Sequence, residues 1–546
     1  MNNNLRITGL ASGIDTEEMV QSLMRAERVK VDRVEQDRQT LLWRQEIYND
    51  LNKDFANFIL NSRKAFGLTS VKYDGTLVPN SYKNLNWVKK AASSNETVAT
   101  VSSTGKAMDG NYNVEVKQLA EGVSMASGSD IRDSIEGKLV DGMSFKINDK
   151  PVIVNKTADK VTMSDVVKAI NSTEDIGVRA SYDASIGRFF LQTTETGKDA
   201  KIEITAGTGS AGESFIKALN LQYRTENKDE EGNYIYEHYK ANGGAKTGQD
   251  AIINFNGADN ITSPSNRITV NGITMDLKAK GDFNINIATD VDGIYEKVDQ
   301  FVKDYNELVD KTNKLLGEKR YRDYKPLTAE QKKGMEKADV DLWEEKAKSG
   351  LLRSDDIISR TMLNTRQSIY KEFDGPFKLI TEIGISTEQY SRGSAGGKLV
   401  IDEQKLKDAI AKNPEDVMEL LFKESIPEER DKDNNITKKG IPGGFVTRIH
   451  DNLMLGMEEI IKKSGTGENA DLYRGVKGNI LLDFVSKHSS ISLIDKDVLQ
   501  YSRKIDDLNE MLFRKENNYY AKFAAMEKAI SRMNQQSGWL MQQSMK

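Results

Sequence analysis

Cysteine is absent from all 546 residues, which removes disulfides, thiolate metal sites and cysteine nucleophiles together. Histidine is almost absent: His238, His450 and His488 stand far apart, in none of the spacings that a zinc centre or a histidine-based triad uses. No run of about 18 apolar residues occurs, so no transmembrane helix is expected. Charge of one sign is lacking too. The 78 basic residues meet 83 acidic ones for a net of −5, too balanced a surface to advertise nucleic acid or an anionic membrane. The lack of cysteine suits a chain that passes an export channel unfolded. The opening stretch ITGLASGIDTEEMV is too polar for a signal peptide, having no basic segment ahead of a continuous apolar one. Its Gly9 and Gly13 precede no Lys-Ser/Thr, so it is no phosphate loop.

Glycine and proline are missing from two long stretches, one at each end. Between Ile14 and Phe66 neither occurs. Asp15 with Glu18 gives an Asp version of a capping box. Val20, Met24, Val31, Val34, Leu41, Tyr48, Leu51, Phe55 and Phe58 then recur at spacings near three and four, broken by Glu27, Arg38 and Gln45. This pattern predicts a long amphipathic helix, in one piece or two, with coiled-coil character. Between Gly478 and Gly538 the same rhythm returns in Val498, Tyr501, Ile505, Leu508, Leu512, Tyr519, Met526, Met533 and Leu540, broken by Lys515 and Lys522. Neither helix can bury its stripe alone. The economical solution packs the two against each other or against neighbouring copies; the alternative is two separate surface helices.

The middle changes period. From about residue 95 to 290, short alternating segments such as NYNVEVKQL, MSFKIND, GRFFLQT and AIINFN are separated by glycine and Asn/Asp turns, which predicts β-rich domains. VTMSDVVKAIN is a helical insertion with Thr162 and Asp165 as a capping box. Helices resume with the stripe Ile294, Val298, Phe301, Val302, Tyr305, Leu308, Val309 and Leu315. Thr328 with Gln331, and Asn413 capping ahead of Pro414, mark two further helix starts. The charged stretch from Pro427 to Pro442 reads as an exposed loop.

Three motifs invite chemistry. Gly207, Gly209 and Gly212 match GxGxxG between a strand and a helix, but the preceding strand alternates where a buried parallel strand would be apolar throughout, and a charged turn with a Tyr-rich edge follows. Gly397-Lys398 is followed by leucine and reads as a turn before a strand. Asp431, Asp433 and Asn435 have calcium-loop spacing, but Ile436 stands where an EF-hand needs glycine. No catalytic, cofactor-binding or metal residue is nominated, and no cofactor is expected.

The motifs ITGLASGIDTEEMVQSLMRAER, GNYNVEVKQLA, FVKDYNELVDKTNKLL, IGISTEQYSRGSAGGKLVIDEQKLKDAI and AKFAAMEKAISRMNQQSGWL together resemble the flagellar filament cap (hook-associated protein 2) family over essentially the whole chain. VVKAINSTEDIGVRASYDASIGRFFLQTTETGKDAKIEI is similar to the IN motif of flagellins and hook-associated proteins. The segments 223–246, 319–348 and 427–442 are less similar. The resemblance implies an α+β multidomain fold with four parts. Residues 1–43 with 506–546 form terminal leg helices pairing in a coiled-coil-like manner. Residues 44–91 with 293–505 form a helix-rich middle domain. Residues 92–124 with 245–292 form a β-rich head domain, and residues 125–244 a second one inserted in the first. It implies no enzyme but a structural cap at the distal tip of the bacterial flagellum, extracellular and exported without a cleaved signal. Its partners would be its own copies (a pentamer or another small ring), flagellin, hook–filament junction proteins and a cytoplasmic export chaperone, with no nucleic acid and no membrane insertion. A tip adhesin for host glycans or mucin is the alternative, and a nucleotide-binding enzyme using Gly207–Gly212 a remote one.

Self-assembly and filament docking would fall to Ile7, Leu10, Ile14, Val20, Leu23, Met24, Val31, Val34, Leu41, Ile505, Leu508, Leu512, Met526, Ile530, Met533 and Leu540. The polar breaks would keep each leg contact reversible, since polar seam positions weaken coiled coils. Residues 1–45 and 505–546 would be mobile in the free protein and ordered on the filament.

Overall fold

The structure, a computed structural model, describes residues 15–71, 73, 77–157, 159–389, 396–426, 428–430, 436–438, 440–465 and 492–544. Two compact units are present: residues 1–82 with 294–546, and residues 83–293 between them in sequence.

The first unit is helical. Its longest elements are the first helix, Thr16–Ala65, and the last, Leu493–Ser544. The first runs as a single piece of 50 residues, as a stretch free of glycine and proline permits. Asp15 Oδ1 accepts the Glu18 N–H at 3.0 Å, half of the expected box. Past its midpoint the helix turns from seam to core: Tyr48, Leu51, Phe55 and Ile59 are fully buried. Phe58 lies 5.3 Å from Phe301 between ring centroids, and Phe66 lies 4.6 Å from Phe422. Phe301 belongs to helix Val291–Gly317, whose buried face is the expected stripe except at its end, where Thr312 is buried and Leu315 only half-buried.

Helices Asp356–Ile369 and Phe445–Ser464 complete this core. Gly456 decides how closely they cross, because a Cβ there would sit 2.3 Å from Thr361 Cγ2. Helices lacking a side chain at the crossing approach more closely than any others can. Asp355 caps Asp356–Ile369 by accepting the Ile357 and Ile358 N–H groups; its carboxylate also takes the Tyr48 hydroxyl and the Lys463 ammonium, the latter at 3.2 Å. Burial pushes that carboxyl up, but Tyr48, the Ile358 N–H and Lys463 outweigh it and hold it below the usual range. Burial, and then the same contact, raise the Tyr48 phenol.

Two sequence expectations need correction here. Asn413 holds the N-cap position ahead of Pro414 as expected, but without a side-chain cap, and it also closes helix Glu403–Lys412. The Pro427–Pro442 stretch is no plain loop, since Glu429–Arg430 pairs with Ile436–Lys438 and Ile426 bridges Ile441. The Thr328–Gln331 box forms in full but starts a helix of only five residues, Ala329–Lys333.

The second unit is antiparallel β structure with two separate cores. One gathers Val114, Val116, Ile253, Met275, Phe283 and Ile285 between a five-stranded sheet and a three-stranded one. Residues alternate buried and exposed along its strands, as in Gly281–Thr289, because successive side chains point to opposite faces. The turns Asn256-Gly257 and Asn271-Gly272 have positive φ at both residues, the conformation that two-residue hairpins with right-handed twist demand. Strands Gly110–Gln118 and Ala251–Phe255 are paired neighbours, so the chain leaves the first sheet and returns to it at one place. Between them lies the second core, with Met125, Phe145, Val166, Phe189, Leu191 and Phe215. It is enclosed by a five-stranded sheet, a three-stranded sheet and helices Met163–Ser172 and Ala211–Ala218. The Thr162–Asp165 capping box is complete.

Candidate assembly seam

The first and last helices pack side by side. Followed from Gln45 through Arg38 and Glu27 to Glu17, the first helix meets Asp495, Ser502, Lys515 and Tyr520 in turn. The pair is therefore antiparallel. Its apolar centre is Val31, Val34, Ile505 and Leu512, with Met24, Tyr501 and Leu508 packed against them. Four buried apolar residues make a short core for helices of this length, and polar contacts extend it in both directions.

Those contacts use the positions that interrupt the stripe. Lys515 Nζ lies 2.7 Å from Glu27 Oε2, both side chains partly shielded, and the Lys515 hydrogen bond lowers the Glu27 carboxyl. Arg38 Nη1 reaches Ser502 Oγ at 3.5 Å. Gln45 Nε2 donates to Asp495 Oδ1 at 2.8 Å and also to the Ser464 carbonyl. Glu27, Arg38, Gln45 and Lys515 are therefore partnered across the seam. A polar pair facing itself fixes register, because any slip leaves both groups facing apolar residues. Lys522 lies beyond the paired stretch and is exposed.

The candidate docking residues divide accordingly. Val20, Val31, Val34, Ile505 and Leu512 are buried; Met24, Leu41 and Leu508 are half-buried. Leu23 is 39% exposed, one position off the three-four rhythm and so off the seam. Met526 and Ile530 are half-buried, and Met533 and Leu540 are 66% and 59% exposed. These four follow Tyr520, where the first helix reaches its first turn at Glu17, so they extend past the pairing that their rhythm predicted. The stretch from 521 to 544 projects about 36 Å at 1.5 Å per residue. Trp539 and Met541 join its exposed apolar surface. Ile7, Leu10 and Ile14 lie outside the described residues. The bracing of the first helix from the 319–348 segment was not legible in sequence: Gln36 donates to the Pro326 carbonyl, and Lys348 contacts Glu46 and the Trp43 ring. The one signal was the aromatic content of Tyr321, Tyr324 and Trp343, which pack together.

The motifs that suggested chemistry have structural explanations. Strand Ile204–Thr205 runs antiparallel to Met143–Ile147, not in a parallel dinucleotide sheet. The Gly209 N–H is taken by the Glu213 carboxylate, and a Cβ on Gly212 would lie 2.2 Å from the Ser144 carbonyl oxygen. An anion already occupies the loop, and close packing accounts for the glycine. Lys398 is paired with Asp310 at 2.7 Å. His450 is fully buried between Phe58 and Phe301 with Ser62 Oγ 2.8 Å from Nε2. Burial, and then the Arg63 charge, push its imidazole down to about 3. His488 and the Asp431–Asn435 motif lie outside the described residues. Among the described residues no cluster of three or more His, Asp or Glu is placed to hold a metal, and no helix is long and apolar enough to cross a membrane.

Two family models match: Flagellar hook-associated protein 2 N-terminus over residues 12–122, and Flagellar hook-associated protein 2 C-terminus over residues 248–535. Residues 123–247 lie in neither, and they carry the second core of the β unit. The flagellar hook-associated protein 2 of Halalkalibacterium halodurans is 28% identical, covering 98% of this chain and 99% of its own. That of Thermotoga maritima is 24% identical over 91% of this chain and 71% of its own. Among solved structures, the D1-D2-D3 domains of the flagellar cap protein FliD from Escherichia coli align with a TM-score of 0.47 and 19% identity, covering 75% of this chain and 95% of that one.

Proposed function

The chain belongs to the flagellar hook-associated protein 2 family, and from that premise we propose that it caps the distal end of the bacterial flagellar filament. In this role it acts as a structural protein: an oligomeric plate with legs that retains exported flagellin and promotes its folding and insertion. The division of labour follows the parts. Residues 1–43 with 506–546 serve as legs, 44–91 with 293–505 as the stem, and 92–124 with 245–292 and 125–244 as two head domains. The oligomer is a homo-oligomer, a pentamer by preference. It lies outside the cell and meets junction proteins and an export chaperone on the way.

One observation supports this reading above the others: the antiparallel pair of first and last helices continues into a single helix whose Met533, Trp539, Leu540 and Met541 are exposed. Exposed apolar residues spread along a helix suit docking into a groove on other subunits. Because the seam's apolar centre is short, the pairing of the first and last helices opens readily in the free protein and is stabilised on the filament, docking offsetting the lost entropy.

The test is complementation of a strain lacking its own cap. The full chain restores long filaments and keeps flagellin out of the medium. A chain ending at Tyr520 leaves flagellin leaking as monomer; wild-type filament length with that truncation overturns the docking role.

A further inference from the structure

The sheet of the second core has strand Tyr234–His238 at one edge and Val178–Asp183 at the other. The two edges are treated differently. On Val178–Asp183, the Asn171 side chain from the neighbouring helix donates to the Ala180 carbonyl at 2.9 Å and accepts the Ala180 N–H at 2.8 Å. That contact occupies the backbone a foreign strand would need. Natural sheets block edges in such ways, or with proline, bulges and inward charges. Among the described residues no side chain caps the outward backbone of Tyr234–His238, and the one irregularity, a register shift between Arg224 and Lys228, lies on the inner partner strand. Every residue of Tyr234–His238 is exposed, and Tyr236 is 59% so. Side-chain contacts also tie the edge strand to its neighbours: Arg224 and Lys228 lie over the Tyr234 ring at 4.4 and 4.7 Å, Arg224 pairs with Glu121, and the Tyr223 hydroxyl donates to Glu237.

The ladder decides which backbone groups face outward. Asp229 N–H donates to the Asn233 carbonyl and Tyr239 N–H to the Leu221 carbonyl. Residues bonded to the partner strand alternate along an antiparallel edge, so 233, 235, 237 and 239 face inward and Tyr234, Tyr236 and His238 present their N–H and C=O groups outward.

We propose that this edge is a self-association surface, on which two copies of the chain join strand Tyr234–His238 to its own counterpart, antiparallel, about a two-fold axis at Tyr236. Self-pairing in this register is consistent at every position. Tyr236 faces Tyr236, and Tyr234 faces His238, so each outward-facing residue meets another. Charge favours the same arrangement. The hairpin tip carries exposed Glu230 and Glu231, and just past the strand stands exposed Lys240. Antiparallel pairing about Tyr236 brings the acidic tip of each copy beside Lys240 of the other. The contact is isologous and closes on itself, giving a dimer joined through one continuous sheet. It rests on the head unit alone and is independent of the capping role.

The full chain lacks cysteine, which makes the register directly testable. Residues directly opposite in a hydrogen-bonded antiparallel pair lie about 5.5 Å apart between Cα atoms, within disulfide reach. Under mild oxidation Tyr236→Cys yields a linked species of twice the chain mass. Tyr234→Cys alone stays at single mass, but mixed with His238→Cys it links. Tyr236→Pro removes an outward N–H and an exposed ring but no bond to the inner strand, so it retains the wild-type circular dichroism and melting temperature while losing association in sedimentation, which Tyr236→Ala, keeping the N–H, retains. Lys240→Glu weakens association, and adding Glu230→Lys and Glu231→Lys restores it. Linking of Tyr236→Cys no faster than that of Tyr234→Cys overturns the proposal, as does failure of the charge exchange to restore association.

Discussion

Lys515 reaches across the terminal seam to Glu27, Nζ to Oε2, at 2.7 Å, joining residues from opposite ends of the chain. The pair converts two interruptions of an apolar stripe into a register mark. Lys515→Leu on its own leaves Glu27 facing the seam without its cation and loosens the pair only slightly, as solvent-screened ion pairs contribute little. Lys515→Glu loosens it further, and Glu27→Lys in the same chain regains the loss. Replacing both residues by leucine tightens the seam while relaxing its register. In cells, this double leucine chain gives shorter filaments if release of the legs limits growth. Hydrogen exchange of residues 20–35 and filament length measure the two effects; exchange unmoved by all four chains removes the ion pair from the account.

His450 gives the fold a pH dependence of definite sign. Its imidazole titrates near 6.5 when unfolded and is pushed down to about 3 in the fold. Between these values the unfolded chain binds the proton and the folded one does not. The stabilisation is complete above about pH 6.5 and is lost as pH falls toward 3. From pH 6.5 to 5 the loss is about 2 kcal/mol. Urea midpoints at the two pH values measure it, and His450→Met shrinks the difference by that amount. An equal pH effect in both proteins assigns the sensitivity to other groups.

Gly456→Ala tests the helix crossing at Thr361. On an isolated helix the change gains about 1 kcal/mol. Here the new methyl meets Thr361 Cγ2 at 2.3 Å, so a net loss of about 1–3 kcal/mol is expected from overpacking. Thr361→Ala removes the two nearest atoms but leaves its Cβ 2.9 Å from the new methyl, so the double variant regains part of the loss. Thermal melting of the three chains is sufficient.

Asp355→Ala removes a helix cap and the acceptor for Tyr48 and Lys463 in one step. With Lys463 left near a buried site, the loss is about 3 kcal/mol or more. Tyr48→Phe removes one hydrogen bond and costs about 1 kcal/mol. Denaturant titration separates them, and equal losses would make the Tyr48 contact the whole of the effect.

The local elements were legible from residue order. The two terminal helices follow from three-four spacing without helix breakers, the β unit from alternation with Asn-Gly turns, and the Thr162–Asp165 box from two residues three apart. Contacts between distant parts were not. The Gly207–Gly212 motif satisfied a pattern whose meaning depends on strand direction, and the strand proved antiparallel. Nothing local distinguishes Met24, packed at the seam, from Met533, exposed beyond it; both sit on the same rhythm. That difference depends on where the partner helix begins, and only the antiparallel register of the pair reveals it.

By itself the sequence determined which segments are helix or strand, that the β unit sits between helical flanks, and that no cysteine is available for a disulfide or a thiolate site. These follow from periodicity, backbone sterics and side-chain chemistry, which act over a few residues. The tertiary structure alone decided that Glu27 meets Lys515, that His450 is held neutral among aromatic rings, and that one sheet edge is blocked by Asn171 while the other is open. Each depends on residues far apart in the chain arriving at one place, where burial and geometry set what a charge or a hydrogen-bonding group can do.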